Sequence, residues 1–136
     1  MLSNAQREEL IQAAKRAQRG AYAPYSHYPV GAALLSSQGN LFLGANVENA
    51  AYPDSVCAER VAVFKAVTEG ERDFDAIAVV TRDGGTPCGS CRQVLAEFSP
   101  NALILIANEA GEVTREGTVA DLLPGAFGPK NLISEN

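Results

Sequence analysis

The sequence has few cysteines and histidines, and this shortage limits the metal sites and disulfides that it can build. Its 136 residues contain three cysteines and one histidine. Three thiols are too few for a closed four-cysteine zinc site, and an odd number leaves one thiol outside any set of disulfides. His27 would have to supply the fourth ligand of a closed site, but it lies in a polar, tyrosine-rich loop where we expect it to face solvent.

Positive charge is also scarce, and long apolar runs are missing. The chain has 11 Lys and Arg against 16 Asp and Glu, a net charge of −5. Proteins that bind nucleic acid normally carry a basic surface, so the composition argues against a nucleic-acid partner. No apolar run approaches a membrane span, and the N-terminal residues lack the apolar segment of a secretory signal. We therefore expect a cytoplasmic protein with no membrane partner, where Cys-x-x-C indicates metal or redox chemistry.

The length and the hydrophobic pattern predict a single catalytic domain over residues 1–136. Ser3 and Gln6 have the spacing of a capping box, and Gly70 ends a later helical pattern. We predict helices over residues 4–19, 57–70 and 90–99, a helical turn within 119–127, and strands over residues 30–36, 41–47, 76–81, 102–108 and 112–118. This order predicts an α/β fold, a three-layer αβα sandwich with a mixed five-stranded sheet.

The three cysteines fall at the starts of two predicted helices. Cys57 opens one helix, and Cys88 and Cys91 lie in the first turn of the next. The positive end of a helix favours the thiolate, which is the form that binds metal. Three thiolates could hold Zn²⁺ and leave the fourth tetrahedral position open, as in catalytic zinc sites. Glu59 would lie beside that metal and could transfer a proton to and from a substrate.

Two other interpretations fit the thiols alone. One is a redox Cys-x-x-C pair with an additional buried cysteine, and the other is a non-catalytic zinc-stabilised binding module. Neither needs Glu59. Three thiolates and Zn²⁺ sum to a negative charge, so something should withdraw charge from the sulfurs. Arg60 and Arg92 directly follow Glu59 and Cys91, and we predict that both donate hydrogen bonds to ligand sulfurs.

Several sequence blocks resemble one enzyme family. The segment "CAE", followed about thirty residues later by "PCGSC", is similar to the zinc-dependent nucleoside and nucleobase deaminases. The blocks "APYSHYPVGAAL", "GANVENAAY", "CAERVAVFKAV", "PCGSCRQVL" and "LLPGAF" run in order from Ala23 to Phe127 and resemble the small homotetrameric cytidine deaminases. The resemblance implies a cytidine deaminase-like fold and hydrolytic deamination of cytidine and 2′-deoxycytidine to uridine and 2′-deoxyuridine, with release of ammonia, in pyrimidine salvage.

The resemblance also implies roles for the metal-site residues. Cys57, Cys88 and Cys91 match the zinc ligands of the family, with one Zn²⁺ per subunit. Glu59 matches the proton shuttle. In the implied mechanism, zinc-bound hydroxide attacks C4 of the pyrimidine, and Glu59 carries protons to N3 and to the departing amine.

The implied nucleoside contacts lie outside the metal site. Asn46 and Glu48 match residues that bind ribose hydroxyls, and the Ala58 backbone N–H matches the donor to the pyrimidine O2. Tyr28 matches a residue that flanks the base, where many members carry phenylalanine. The remaining matches belong to residues that complete a neighbouring subunit's pocket in a homotetramer, namely Ala50, Tyr52 and Phe127.

Two other deaminase substrates remain open for such a sequence. One is a different aminopyrimidine, such as a nucleoside antibiotic, and the segment "NVENAAY" argues against it because the ribose-binding pattern is intact. The other is a polynucleotide, and the acidic charge argues against that substrate. We therefore expect a small nucleoside.

Overall fold

The computed structural model describes residues 2–133 and contains the elements that the sequence predicts. The helices are α1 (Asn4–Gln18), α2 (Ala58–Thr68), α3 (Gly89–Phe98) and α4 (Val119–Leu122). The strands are β1 (Gly31–Ser36), β2 (Leu41–Ala45), β3 (Phe74–Val80), β4 (Leu103–Ala107) and β5 (Val113–Thr118). The predicted bounds of the three longer helices and of the strands differ from these by at most two residues.

The five strands form one mixed sheet in the order β2-β1-β3-β4-β5. Strands β3 and β4 are parallel, and the other neighbouring pairs are antiparallel. Continuous apolar sequences in β3 and β4 are typical of central strands covered on both faces, and both strands are buried along most of their length. The predicted mixed five-stranded α/β fold is confirmed.

Helices cover both faces of the sheet. Helix α1 packs on one face with Ala33, Ala78 and Leu105, and α2 and α3 pack on the other with Ile77 and Ile104. The alternation of Ile104 and Leu105 between the two cores follows from the two-residue period of a strand. The result is the predicted three-layer αβα sandwich.

The start of α1 is fixed by its own sequence. The Ser3 hydroxyl accepts a hydrogen bond from the Gln6 backbone N–H, and the Gln6 side chain accepts one from the Ser3 N–H. This capping box satisfies two donors that the first turn of a helix otherwise leaves free. Arg7 then pairs with Glu116 at 2.6 Å and ties α1 to β5.

The parallel pair and the helix connections bring several chain segments to one end of the sheet. The starts of α2 and α3 lie there, at the carboxyl end of β3. In open α/β sheets the carboxyl ends of parallel strands are the usual place for a ligand. Among the helices formed by residues 2–133, none combines the length and the apolar character of a membrane span.

Candidate metal centre and active site

The three cysteine side chains meet at the starts of two helices. Cys57 is the N-cap residue of α2, Cys88 is the N-cap residue of α3, and Cys91 lies one turn into α3. The Sγ atoms of Cys57 and Cys88 are 3.7 Å apart, and those of Cys88 and Cys91 are 3.2 Å apart. All three sulfurs lie within 4.8 Å of one another. The predicted convergence of the thiols is therefore confirmed.

These sulfurs fit a zinc ion. Zn–S bonds of about 2.3 Å in a tetrahedron place sulfurs about 3.8 Å apart, close to the spacing found. The neighbouring Cys91 thiol, followed by the Arg60 guanidinium, lowers the pKa of the Cys57 thiol well below its usual value. The cluster consists of three cysteines, of which Cys91 is buried and Cys88 exposed. Thiolate ligands suit zinc, and three of them leave one tetrahedral position for water or substrate.

Glu59 lies in the first turn of α2, beside the thiols. Only 4% of its surface is exposed. Burial raises the pKa of its carboxyl to about 7, because the charged form loses its hydration. Glu59 and two of the cysteines, Cys57 and Cys88, line the same cavity. A carboxyl group in this position can both accept and donate a proton at neutral pH.

The two arginines predicted to bind sulfurs behave differently. The Arg60 guanidinium donates to Cys57 Sγ at 3.5 Å, as predicted. Arg92 instead donates to the Pro87 carbonyl at 2.9 Å and to the Leu122 carbonyl at 3.0 Å. For Arg92 the predicted bond to a sulfur is wrong, because these carbonyls take up its guanidinium. Since Pro87 precedes Cys88, Arg92 holds the segment that carries one ligand.

The cavity beside the thiols has a volume of about 360 Å³. Its walls come from five segments of the chain and are formed by Ser26, Tyr28, Val30, Asn46, Glu48, Tyr52, Cys57, Glu59, Val79, Thr81, Gly85, Thr86, Pro87 and Cys88. A larger cavity of about 700 Å³ lies at the opposite end of the strands, near Leu10 and Leu103, and no thiol lines it. The smaller cavity is the candidate active site because it contains the thiols and Glu59.

Asn46 and Glu48 line this cavity and also hold the loop before β1. Asn46 Oδ1 accepts from the Val30 N–H at 2.8 Å, and its Nδ2 donates to the Tyr28 carbonyl at 3.0 Å. The Glu48 carboxylate accepts from the N–H groups of Tyr25 and Ser26, both at 3.0 Å, and from the Ser26 hydroxyl. These bonds hold the pKa of Glu48 below its usual range, with the Ser26 hydroxyl making the largest contribution.

The other predicted substrate residues divide into two groups. Tyr28 and Tyr52 lie on the cavity wall, and Ala58, the first residue of α2, lies between Cys57 and Glu59. Its backbone N–H belongs to the first turn, where the amides of a helix have no partner within the helix.

The second group, Ala50 and Phe127, does not line this cavity. Ala50 is exposed, and Phe127 lies beside a separate cavity of about 470 Å³, where its carbonyl accepts from the Gln93 side chain at 2.7 Å. Tyr52 was predicted to complete a neighbouring subunit's pocket. In this structure it lies on the wall of the chain's own cavity.

The structure adds cavity residues that the sequence analysis did not identify. Ser26 and Thr81 contribute hydroxyl groups, and Pro87 and Gly85 contribute parts of the wall. Thr81 directly follows β3, so its place at the carboxyl end of a parallel strand was a usable signal. Pro87 and Ser26 lie in the blocks "PCGSC" and "APYSHYPVGAAL" that carry the resemblance, so they too had a signal. Gly85 had none, since its position depends on how separate loops meet.

Known proteins resemble this chain along most of its length. Residues 4–107 match the family described as "Cytidine and deoxycytidylate deaminase zinc-binding region". The cytidine deaminase of Sporosarcina psychrophila is 50% identical over 128 residues, which is 92% of this chain and 93% of the relative. That of Halalkalibacterium halodurans is 52% identical over 124 residues, or 89% of this chain and 93% of the relative.

Solved structures agree with the sequence matches. The crystal structure of cytidine deaminase from Burkholderia pseudomallei superposes with a TM-score of 0.85 at 46% sequence identity. The match covers 93% of this chain and all of the other. The cytidine deaminase of Mycobacterium tuberculosis gives a TM-score of 0.78 at 40% identity, over 88% of this chain and 95% of the other.

Proposed function

The chain belongs to the cytidine and deoxycytidylate deaminase family, and we propose that it hydrolyses cytidine and 2′-deoxycytidine to uridine and 2′-deoxyuridine with release of ammonia. The observation that carries this proposal is the buried Glu59 carboxyl, which lies beside a cluster of three thiols at one end of a 360 Å³ cavity. Residues 1–136 act in this proposal as a single catalytic domain that serves pyrimidine salvage.

The thiol cluster is where the family's metal would bind. Cys57, Cys88 and Cys91 would hold one zinc ion per chain. Zinc bound by three thiolates supplies Lewis acidity, which makes water nucleophilic near neutral pH. Arg60 supports this chemistry because its guanidinium donates to Cys57 Sγ and withdraws negative charge from that ligand.

Glu59 moves the protons of the reaction. Its carboxylate accepts a proton from the attacking water and delivers it to N3 of the pyrimidine. After C4 has become tetrahedral, Glu59 passes the second proton of that water to the exocyclic amine, which leaves as ammonia. One water is consumed and one ammonia is released for each uridine formed, so the carboxylate returns to its starting state.

The remaining cavity residues bind and orient the nucleoside. The Ala58 N–H donates to the pyrimidine O2, and the Tyr28 ring flanks the base. Asn46 and Glu48 bind the ribose, above all the 3′-hydroxyl. The loop before β1 already uses part of the hydrogen-bonding capacity of these two side chains. Glu48 has about four acceptor positions and already receives three hydrogen bonds. The free position can still accept from one ribose hydroxyl.

The first test is release of uridine and ammonia from cytidine by zinc-loaded protein. We expect turnover of cytidine and comparable turnover of 2′-deoxycytidine. With 3′-deoxycytidine we expect kcat/KM to fall by about 100-fold, because a buried polar site is left without its partner. A protein that binds zinc yet forms no uridine would contradict the substrate assignment. Equal turnover of 3′-deoxycytidine would contradict only the ribose contacts.

Arg60 offers a second test of the metal site. Replacing Arg60 by Gln removes the donor to Cys57 Sγ, and we expect zinc affinity or kcat/KM to fall by about tenfold. Competition with a chelator measures the first quantity, and initial rates measure the second. The matched control is Arg115→Gln, which removes an exposed guanidinium from β5. If zinc affinity and kcat/KM both stay at the wild-type value in Arg60→Gln, then Arg60 does not withdraw charge from the ligand.

We also propose a cytoplasmic homotetramer whose pockets are completed by neighbouring subunits. Its support lies in large apolar side chains that are 46–57% exposed in the single chain, among them Phe64, Tyr52 and Phe127. Packing against neighbouring subunits would bury these side chains, which the single chain leaves in water. The three free thiols support a cytoplasmic location, because thiols stay reduced there. Sedimentation that gives the mass of a single chain at micromolar concentration would exclude the assembly.

A further inference from the structure

A second loop, residues 81–86, meets the Tyr28 side chain at the cavity wall. The Tyr28 hydroxyl donates to Asp83 Oδ1 at 2.5 Å, and the Gly85 N–H donates to the same oxygen at 3.2 Å. The guanidinium carbon of Arg82 lies 5.2 Å from the centre of the Tyr28 ring, a distance suited to a cation–π contact. Tyr28 is therefore held by both its hydroxyl and the face of its ring.

The backbone beside Tyr28 needs such support. His27 has a φ of 55°, in the left-handed region that side chains other than glycine seldom adopt. The Arg82 guanidinium contacts the His27 carbonyl at 3.4 Å. The second loop is itself fixed to the end of β3, since Thr81 Oγ1 accepts from the N–H groups of Gly84 and Gly85. Backbone of this kind persists when the surrounding contacts determine it.

We propose that Arg82 and Asp83 are positioning residues for the deamination reaction, which hold the Tyr28 ring on the cavity wall where it contacts the pyrimidine. The inference rests on the proposed function, because the ring matters only if a base lies against it. The hydroxyl–carboxylate bond is charge-assisted and gives the ring one orientation before substrate arrives. A ring fixed in advance loses less freedom on binding, so these residues act on KM more than on kcat.

A double-mutant cycle tests the bond between Tyr28 and Asp83. Tyr28→Phe keeps the ring and removes the hydroxyl, and Asp83→Ala removes the acceptor. Each is expected to raise KM for cytidine about fivefold, with kcat within about twofold of the wild type. Because the Tyr28 hydroxyl has lost its acceptor once Asp83 is replaced, adding Tyr28→Phe to Asp83→Ala should change KM no further. A double variant with the product of the two effects, or an unchanged KM in Asp83→Ala, overturns the proposal.

A matched control comes from the opposite end of the sheet. The Ser37 hydroxyl donates to Asp75 Oδ1 at 3.0 Å, also at an exposed site. Ser37→Ala therefore removes a hydroxyl–aspartate bond that does not touch the cavity of the thiols. We expect KM and kcat to stay at the wild-type values in this variant.

Gly85 provides an independent steric test. A Cβ added at Gly85 would lie 2.8 Å from the Tyr28 hydroxyl but 4.0 Å from Cζ, the ring carbon that bears it. Gly85→Ala should therefore displace the ring and raise KM about fivefold in the wild-type background. In the Tyr28→Phe background the clash disappears, and Gly85→Ala should change KM no further. An equal rise in both backgrounds would show that Gly85 acts without the Tyr28 hydroxyl.

Amide hydrogen exchange separates this inference from the proposed function. In the protein without nucleoside, Asp83→Ala should speed exchange in residues 25–30, whereas Ser37→Ala should not. If the wild type forms no uridine, the proposed function fails, and exchange still shows whether Asp83 orders the loop. If exchange is unchanged in Asp83→Ala while the wild type turns over cytidine, the positioning role alone is refuted.

Discussion

Replacing Glu59 by Gln is expected to lower kcat for cytidine by about 10³-fold while the chain still binds zinc. The amide has nearly the same shape as the carboxyl, so a side chain that is 4% exposed keeps its packing. It cannot take up a proton and return it, and both proton transfers to the pyrimidine are lost. The three thiols that hold the metal are untouched.

Two measurements on the same preparation decide this prediction. Metal analysis gives the zinc content of Glu59→Gln, and initial rates of uridine formation give its kcat. The matched control is Glu69→Gln, which makes the same substitution at an exposed position at the far end of α2. A zinc-loaded Glu59→Gln protein that keeps more than about a tenth of the wild-type kcat would remove Glu59 from the mechanism.

The sequence determined most of the fold because its signals are local. The capping box at Ser3 acts within a few residues, and the structure places α1 where it indicates. The apolar runs of β3 and β4 predicted central strands, since only a strand covered on both faces needs no polar side chains. Bounds shifted by one or two residues, as expected where helix and strand ends fray.

The metal site was predictable for a related reason. A helix start favours a thiolate, so the cysteines at two helix starts indicated one cluster once both helices reached the same end of the sheet. The sequence could not determine the partners of Arg92, because the Leu122 carbonyl is 30 residues away and no local rule joins the two. The bond between Tyr28 and Asp83, 55 residues apart, is a contact of the same kind.

Asn46 and Glu48 show a further limit of sequence reasoning. A resemblance gives one role for each residue, here the ribose contact. The structure shows that the same side chains hold the loop before β1 through five hydrogen bonds. Their replacement would therefore disturb both the loop and the substrate site. This is why a substrate lacking the 3′-hydroxyl tests the ribose contact more cleanly than a variant does.

Substituting Ala for Gly44 is expected to lower the free energy of unfolding by about 3 kcal/mol, because α2 lies directly on β2 at this point. An added Cβ would lie 2.3 Å from the Ala58 carbonyl and 2.7 Å from the Ala62 N–H. Both are backbone atoms of α2 and cannot rotate away. The helix has to move, and its first turn carries Cys57 and Glu59. We therefore expect weaker zinc binding together with the loss of stability.

Replacing Gly31 by Ala separates the loss of stability from the weaker zinc binding. A Cβ there would lie 2.0 Å from the Ala14 carbonyl of α1, so Gly31→Ala should destabilise the fold by a similar amount, but α1 carries no zinc ligand. Urea midpoints, compared at one protein concentration, measure stability, and chelator competition measures zinc affinity. Gly20→Ala is the control, since the atom nearest its added methyl is 3.4 Å away.

If Gly44→Ala unfolds at the wild-type midpoint, α2 does not need this close approach. If it unfolds early but binds zinc as tightly as Gly31→Ala does, the packing of α2 on β2 stabilises the fold without placing Cys57.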